Sequence, residues 1–147
     1  MKLGLIAMSG IRAENPELMA LGLKLPGFLE RARTLFAMPS LSLLTLAGMA
    51  PEDVEIAYRE YREFPAHDPP ECDLAAITSF TAQIEDAYRL ADIYRARGAK
   101  VVMGGLHVSR MPEEAARHAD AVAIGEGELL WPRILDDFRR NRLQPRY

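Results

Sequence analysis

The stretch Val101 to Ser109, "VVMGGLHVS", decides how the chain is read. Three apolar residues run directly into two glycines, followed closely by a histidine. A short continuous apolar run suits a strand buried on both faces, as in a parallel sheet. The glycines that follow put bare backbone where such a strand would end, open to a tight turn or to the close approach of a ligand.

The rest of the chain repeats that pattern. Lys2 to Met8 reads as a first strand. Val54 to Tyr58 ("VEIAY") reads as a second and weaker one, because charged and apolar residues alternate along it. Leu74 to Thr78 ("LAAIT"), Val101 to Met103 and Ala121 to Ile124 are further apolar runs of the buried kind. Helical patterns lie between them. Ile84, Ala87, Tyr88, Ala91 and Tyr94 share one helical face. Thr81 is predicted to cap that helix, Glu85 and Asp86 favour its positive end, and Gly98 stops it. Pro112-Glu113-Glu114 opens the next helix, with proline where its missing N–H costs little. A last helix is predicted from about Gly127 to Arg140, its first turn made irregular by Pro132.

Strands alternating with helices, joined by right-handed crossovers, give an α/β fold. The prediction is a flavodoxin-like, doubly wound, five-stranded parallel sheet of order 2-1-3-4-5, with a helical insertion after the first strand. That insertion, about residues 10–38, is broken by prolines and carries Phe28, Leu29, Ala32, Leu35 and Phe36 at helical spacing. It is expected to pack on the domain itself, the alternative being a surface that meets a flat ligand or a neighbouring domain. Between Tyr58 and Leu74 lies "REYREFPAHDPPECD", too short and proline-broken for a full helix, so that side of the sheet is expected to be thinly covered.

With 147 residues the chain suits one domain, and 49% hydrophobic with 27% charged residues is ordinary globular composition. A net charge of -3 gives no reason to expect nucleic acid or an acidic membrane surface. The basic tail "RRNRLQPRY" is the local exception, and it reads as a solvated helix end running into a linker. Cys72 stands alone, which excludes a disulfide framework or a cysteine zinc site within the chain. "MKLGLIAM" is a poor signal peptide and no apolar run spans a membrane, so a cytoplasmic protein is expected.

In open parallel sheets, ligands sit at the carboxyl ends of the strands. Those ends carry Ser9 and Gly10, then Ser79, Phe80 and Thr81, then Gly104, Gly105 and His107, and last Gly125 and Glu126. All four ends are rich in small or hydroxylated residues. Taken singly, each also has a plain reading: the glycine pair as a tight turn, Ser79 and Thr81 as caps, His107 as a loop residue. His118 reads as a partner of a helix end. Gly125 to Leu130 ("GEGELL") lacks the third glycine of a dinucleotide fingerprint and follows the last strand rather than the first. The carboxylates and lysine of a phosphoryl receiver are missing, Ser9-Gly10-Ile11-Arg12 makes a poor flavin-phosphate loop, and there is no Walker lysine. No metal cluster or catalytic pair stands out. The chain reads as a binder rather than a catalyst.

From about Ser40 to Tyr147 the sequence resembles the N-terminal cobalamin-binding domain of cobalamin-dependent radical SAM enzymes. The residues that carry the resemblance are "LLTLAGMAPEDVEI", "LAAITSFTAQIEDAYRLADIYRARGAKVVMGGLHVSRMPEEAARHADAVAIGEGE" and "LWPRILDDF". It implies a cleft that takes the nucleotide tail of cobalamin, with Ser79 and Thr81 bonding the tail, Gly104 and Gly105 letting it pass, Gly125 and Glu126 lining the cleft, and His107 at its rim. Relatives that carry Asp-x-His-x-x-Gly after strand one ligate cobalt with that histidine. Here the position reads "MSGIRAEN", and His67-Asp68 lies elsewhere, so base-off cobalamin without a protein histidine is expected. A [4Fe-4S] cluster and S-adenosylmethionine would need a three-cysteine motif that this chain lacks. The resemblance therefore implies a domain of 1–147 from a longer chain, followed by a radical SAM catalytic domain. The rival reading is a cofactor-free protein-interaction module.

Overall fold

The computed structural model describes residues 1–8, 39–61, 64 and 69–147. The insertion at about 10–38, with Ser9 and Gly10, lies outside the described residues, as do residues 62–63 and 65–68 of the proline-broken crossover, His67-Asp68 among them. Five strands form the sheet: β1 (Lys2–Met8), β2 (Glu55–Tyr61), β3 (Leu74–Ser79), β4 (Lys100–Gly104) and β5 (Ala121–Val122). All pair in parallel, in the order β2-β1-β3-β4-β5. This is the predicted topology.

The helices are α1 (Leu41–Gly48), α2 (Ile84–Ala96), α3 (Leu106–Arg110), α4 (Pro112–Ala115) and α5 (Gly127–Arg139). Strand alternation divides the apolar residues between two faces. Ile6, Met8, Ile77, Val101 and Met103 pack on α2 through Ala87, Tyr88, Ala91 and Tyr94, the face its periodicity predicts. Leu3, Leu5, Leu74 and Val102 pack on the other side, against Leu43 of α1 and Trp131, Ile134 and Leu135 of α5. Each fully buried side chain of this size contributes about 1.5–3 kcal/mol. Trp131 Nε1–H also donates to the Leu46 carbonyl at 3.0 Å, tying α5 to α1.

Three local expectations are corrected. Thr81 does not cap α2: it opens a 3-10 turn, Thr81–Gln83, and no side chain caps the helix that follows. A separate short helix, α3, starts directly after the glycine pair. The basic tail is not a solvated linker. Val122 N–H donates to the Pro145 carbonyl at 3.0 Å, and Tyr147 N–H to the Val122 carbonyl at 2.9 Å. Ile124 N–H donates to the Tyr147 carbonyl at 3.0 Å. The tail thus pairs with the outer edge of β5, whose backbone groups would otherwise lack partners. Its charge is met locally, since Arg140 and Arg142 both reach Asp136 and the Tyr147 hydroxyl donates to Asp137.

Pro132 sits within α5, which nevertheless runs unbroken. Its first turn is tightened, with Leu129 N–H donating to the Glu126 carbonyl three residues back. No helix among the described residues is long and apolar enough to cross a membrane.

Candidate binding site at the strand ends

On the α1/α5 face the side chains shrink toward the carboxyl ends of the strands. In β1 the sequence on that face is Leu3, Leu5, Ala7; in β3 it is Leu74, Ala76, Thr78; in β4 it is Val102, then Gly104. After β5 it ends in Ala123. The helices do not close the gap, and Leu43 and Leu46 of α1 and Trp131 and Ile134 of α5 form its far wall. The result is a cavity of about 770 Å³ between sheet and helices, reaching the loops that follow the strands. Its volume falls within the usual range for sites that hold organic ligands.

Of the residues singled out in the sequence, Ser79, Phe80, Gly104, Gly105, Gly125 and Glu126 line this cavity. Thr81 and His107 do not, and Ser9 and Gly10 lie outside the described residues. The sequence reading missed Ser40, Ser42, Thr78, Ser109 and Arg110, which also line it. Thr78 was within reach, since strand alternation puts it on the face opposite to Ser79. The others required knowing that α1 and α3 border the slot.

The two adjacent glycines have different reasons. A Cβ on Gly105 would lie 2.6 Å from Thr78 Oγ1, and its φ is +102°, a conformation that side chains rarely adopt. That glycine belongs to the turn. At Gly104 a Cβ would meet Ala123 Cβ at 3.5 Å, ordinary contact, so a methyl group fits and anything larger fills the slot. Gly125, at φ +89°, donates its N–H to Ser109 Oγ at 3.0 Å and pins the last loop to α3.

His107 joins a polar cluster over α2 instead. Its Nε2 lies 3.4 Å from Glu114 Oε1 and its Nδ1 3.2 Å from Thr81 Oγ1. The Tyr88 hydroxyl donates to the same Glu114 oxygen at 2.8 Å. Hydrogen bonds from Tyr88 first, and then from His107, hold the Glu114 carboxyl below its usual range. An ionised carboxylate can only accept, so in the neutral ring Nε2 carries the proton and the Thr81 hydroxyl donates to Nδ1. Burial, then the hydrogen bond to Glu114, pushes the Tyr88 phenol well above its usual value. His118, just past the end of α4, stacks on Tyr88 at 4.4 Å between ring centres and bonds Asp92 at 2.9 Å. The cluster fastens the loop after β3 to α3 and α4.

A parallel α/β sheet with a deep slot at the carboxyl ends of its strands defines a ligand-binding domain. The chain belongs to the B12 binding domain family, whose match covers residues 31–135. It is 41% identical over 115 residues to a bacteriochlorophyllide d C-8(2)-methyltransferase of Chlorobaculum tepidum, a stretch that is 78% of this chain and 25% of the relative. It is 31% identical over 113 residues to the bacteriochlorophyllide d C-12(1)-methyltransferase of the same organism, covering 76% of this chain and 25% of that protein. An uncharacterized methyltransferase of Pyrococcus horikoshii is 39% identical over 75 residues, covering 48% of this chain and 16% of the relative. The chain thus matches about a quarter of the length of the first two curated relatives. No solved structure gives a significant match.

Proposed function

We propose that this chain, over residues 1–147, is the cobalamin-holding part of a longer cytoplasmic methyltransferase of radical SAM type. The observation that carries the proposal is the tapering slot: its floor of Ala7, Ala76, Gly104 and Ala123 is methyl-sized or smaller. Such a floor fits a long, thin appendage like the nucleotide tail of cobalamin, and suits a bulky aliphatic filling poorly. Gly104 gives the tail passage, while Ser79, Phe80, Gly105 and Gly125 border its entry, and Glu126 offers a carboxylate to a ribose hydroxyl. On the sequence alone, Ser9 and Gly10 would stand at the same edge. Thr81 and His107 serve indirectly, by holding the loop that carries Ser79 and Phe80.

When bound, cobalamin supplies a cobalt centre able to carry a methyl group. Base-off binding without a protein histidine is supported by "MSGIRAEN" after β1 and by the engagement of His107 and His118 in the cluster over α2. The printed names of the relatives, all methyltransferases, support methyl transfer in the whole protein. The [4Fe-4S] cluster and S-adenosylmethionine would belong to a catalytic domain elsewhere in that polypeptide, since Cys72 cannot form the cysteine set alone.

The test is a visible-spectrum titration of hydroxocobalamin into the purified chain. A saturable shift toward the base-off form is expected. Gly104→Val should remove that shift while the circular dichroism spectrum stays that of the folded protein. Unchanged affinity in a folded Gly104→Val variant would contradict the placement of the tail. No binding by the unaltered chain at tens of micromolar would favour the cofactor-free interaction module.

A further inference from the structure

Among the described residues that line the cavity, Arg110 is the one cation, set against the carboxylates Glu60, Glu126 and Glu128. Other arginines of the molecule are engaged: Arg139 with Asp53, Arg140 and Arg142 with Asp136, and Arg146 with Glu113. Arg110 makes no hydrogen bond or ion pair with any described residue. It ends α3, and its neighbour Ser109 accepts the Gly125 N–H, so the helix that carries the guanidinium is pinned beside the cavity's mouth. The hydroxyls of Ser79 and Thr81, expected from the sequence to bond the tail, are already committed. Ser79 Oγ donates to the Phe80 carbonyl at 3.0 Å, and Thr81 Oγ1 is bonded to His107.

Building on the cobalamin reading above, we propose that Arg110 is the group that receives the phosphodiester of the nucleotide tail, and that it selects complete corrinoids over those lacking the nucleotide. The chemistry is specific. A corrinoid's phosphodiester carries a fixed negative charge, and in a chain of net charge -3 with three carboxylates along the cavity it needs a cation to offset repulsion. The planar guanidinium offers two parallel N–H groups to two phosphate oxygens, which no other described residue lining the slot can do.

The experiment titrates the unaltered chain and Arg110→Gln with hydroxocobalamin and with diaquacobinamide, which lacks the nucleotide and its phosphodiester. Arg110→Gln is expected to bind hydroxocobalamin about tenfold or more weakly, as befits loss of a charge-assisted hydrogen bond. Its diaquacobinamide affinity should equal that of the unaltered chain, and Arg110→Lys should recover part of the loss. Equal hydroxocobalamin affinity in Arg110→Gln would overturn the assignment, as would an equal loss for both ligands. If the unaltered chain binds neither corrinoid, the underlying cobalamin reading fails and this inference goes with it.

Discussion

Ala75 and Ala76 are neighbours in β3 and face opposite ways. Ala75 is fully enclosed against α2, in a layer where Met8, Ile77 and Met103 keep the side chains large up to the strand ends. Ala76 faces α1 and α5 and lines the slot, whose floor continues toward the carboxyl ends through Ala7, Gly104 and Ala123. One face of a single sheet is filled to its carboxyl edge and the other is left open there. The filled face supplies cohesion and the open one supplies a site. A parallel sheet can divide the work this way because alternate residues of each strand belong to different cores.

The sharpest way to break this comparison is to add the same bulk on each side. Ala75→Leu should destabilise the fold by about 1–3 kcal/mol, because an enclosed alanine leaves no room for extra methylenes. Ala76→Leu should cost less than about 1 kcal/mol, since the added atoms enter open space, yet weaken hydroxocobalamin binding about a hundredfold. Urea denaturation and the corrinoid titration read the two effects separately. Equal destabilisation by both would mean that the slot face is packed as tightly as the other.

A smaller effect concerns the polar cluster over α2, which fastens the loop after β3 to α3 and α4. Because the Glu114 carboxyl titrates below its ordinary value of 4.5 in the fold, its contribution to stability is present above that value. It is lost as pH falls through the lowered folded pKa. Glu114→Gln should therefore flatten the acid side of the Tm-against-pH curve and leave the neutral-to-alkaline side parallel to that of the unaltered chain. An unchanged acid limb would remove Glu114 from the fastening role.

The smallest expected effect lies at the other end of the sheet, remote from the slot. Cys72 packs so closely on β1 that a Cβ on Gly4 would lie 2.9 Å from its sulfur. Burial pushes its thiol up from 9.0 to about 11. The thiol's contribution to stability is accordingly complete below pH 9 and lost as pH rises through about 11. At pH 8 iodoacetamide should modify Cys72 about a hundredfold more slowly in the folded chain than in urea. Equal rates would show that this edge opens freely.

The sheet order, the five strands and the apolar face of α2 could all be read in advance because they follow from local periodicity and from glycine at strand ends. Six of the ten site residues named from the sequence line the slot for the same reason: they end strands or lie in the loops just after them. Thr81 and His107 failed that reading because each found the other, 26 positions away, along with Glu114. Ser40 and Ser42 were missed because α1 had no marked pattern of its own, and its place beside α5 rests on Trp131 reaching Leu46 across 85 positions.

The amino-acid order alone thus determined that strands would lie parallel, in which sequence, and that their ends would be sparse in side chains. These are consequences of which residues neighbour one another along the chain. Tertiary structure alone decided which face of the sheet would stay open, that the arginine-rich tail would close the edge of β5, and that one glycine of the pair serves the turn while the other clears the slot. Each of those outcomes depends on contacts between distant segments, and side-chain volume has no consequence until a neighbour is placed against it.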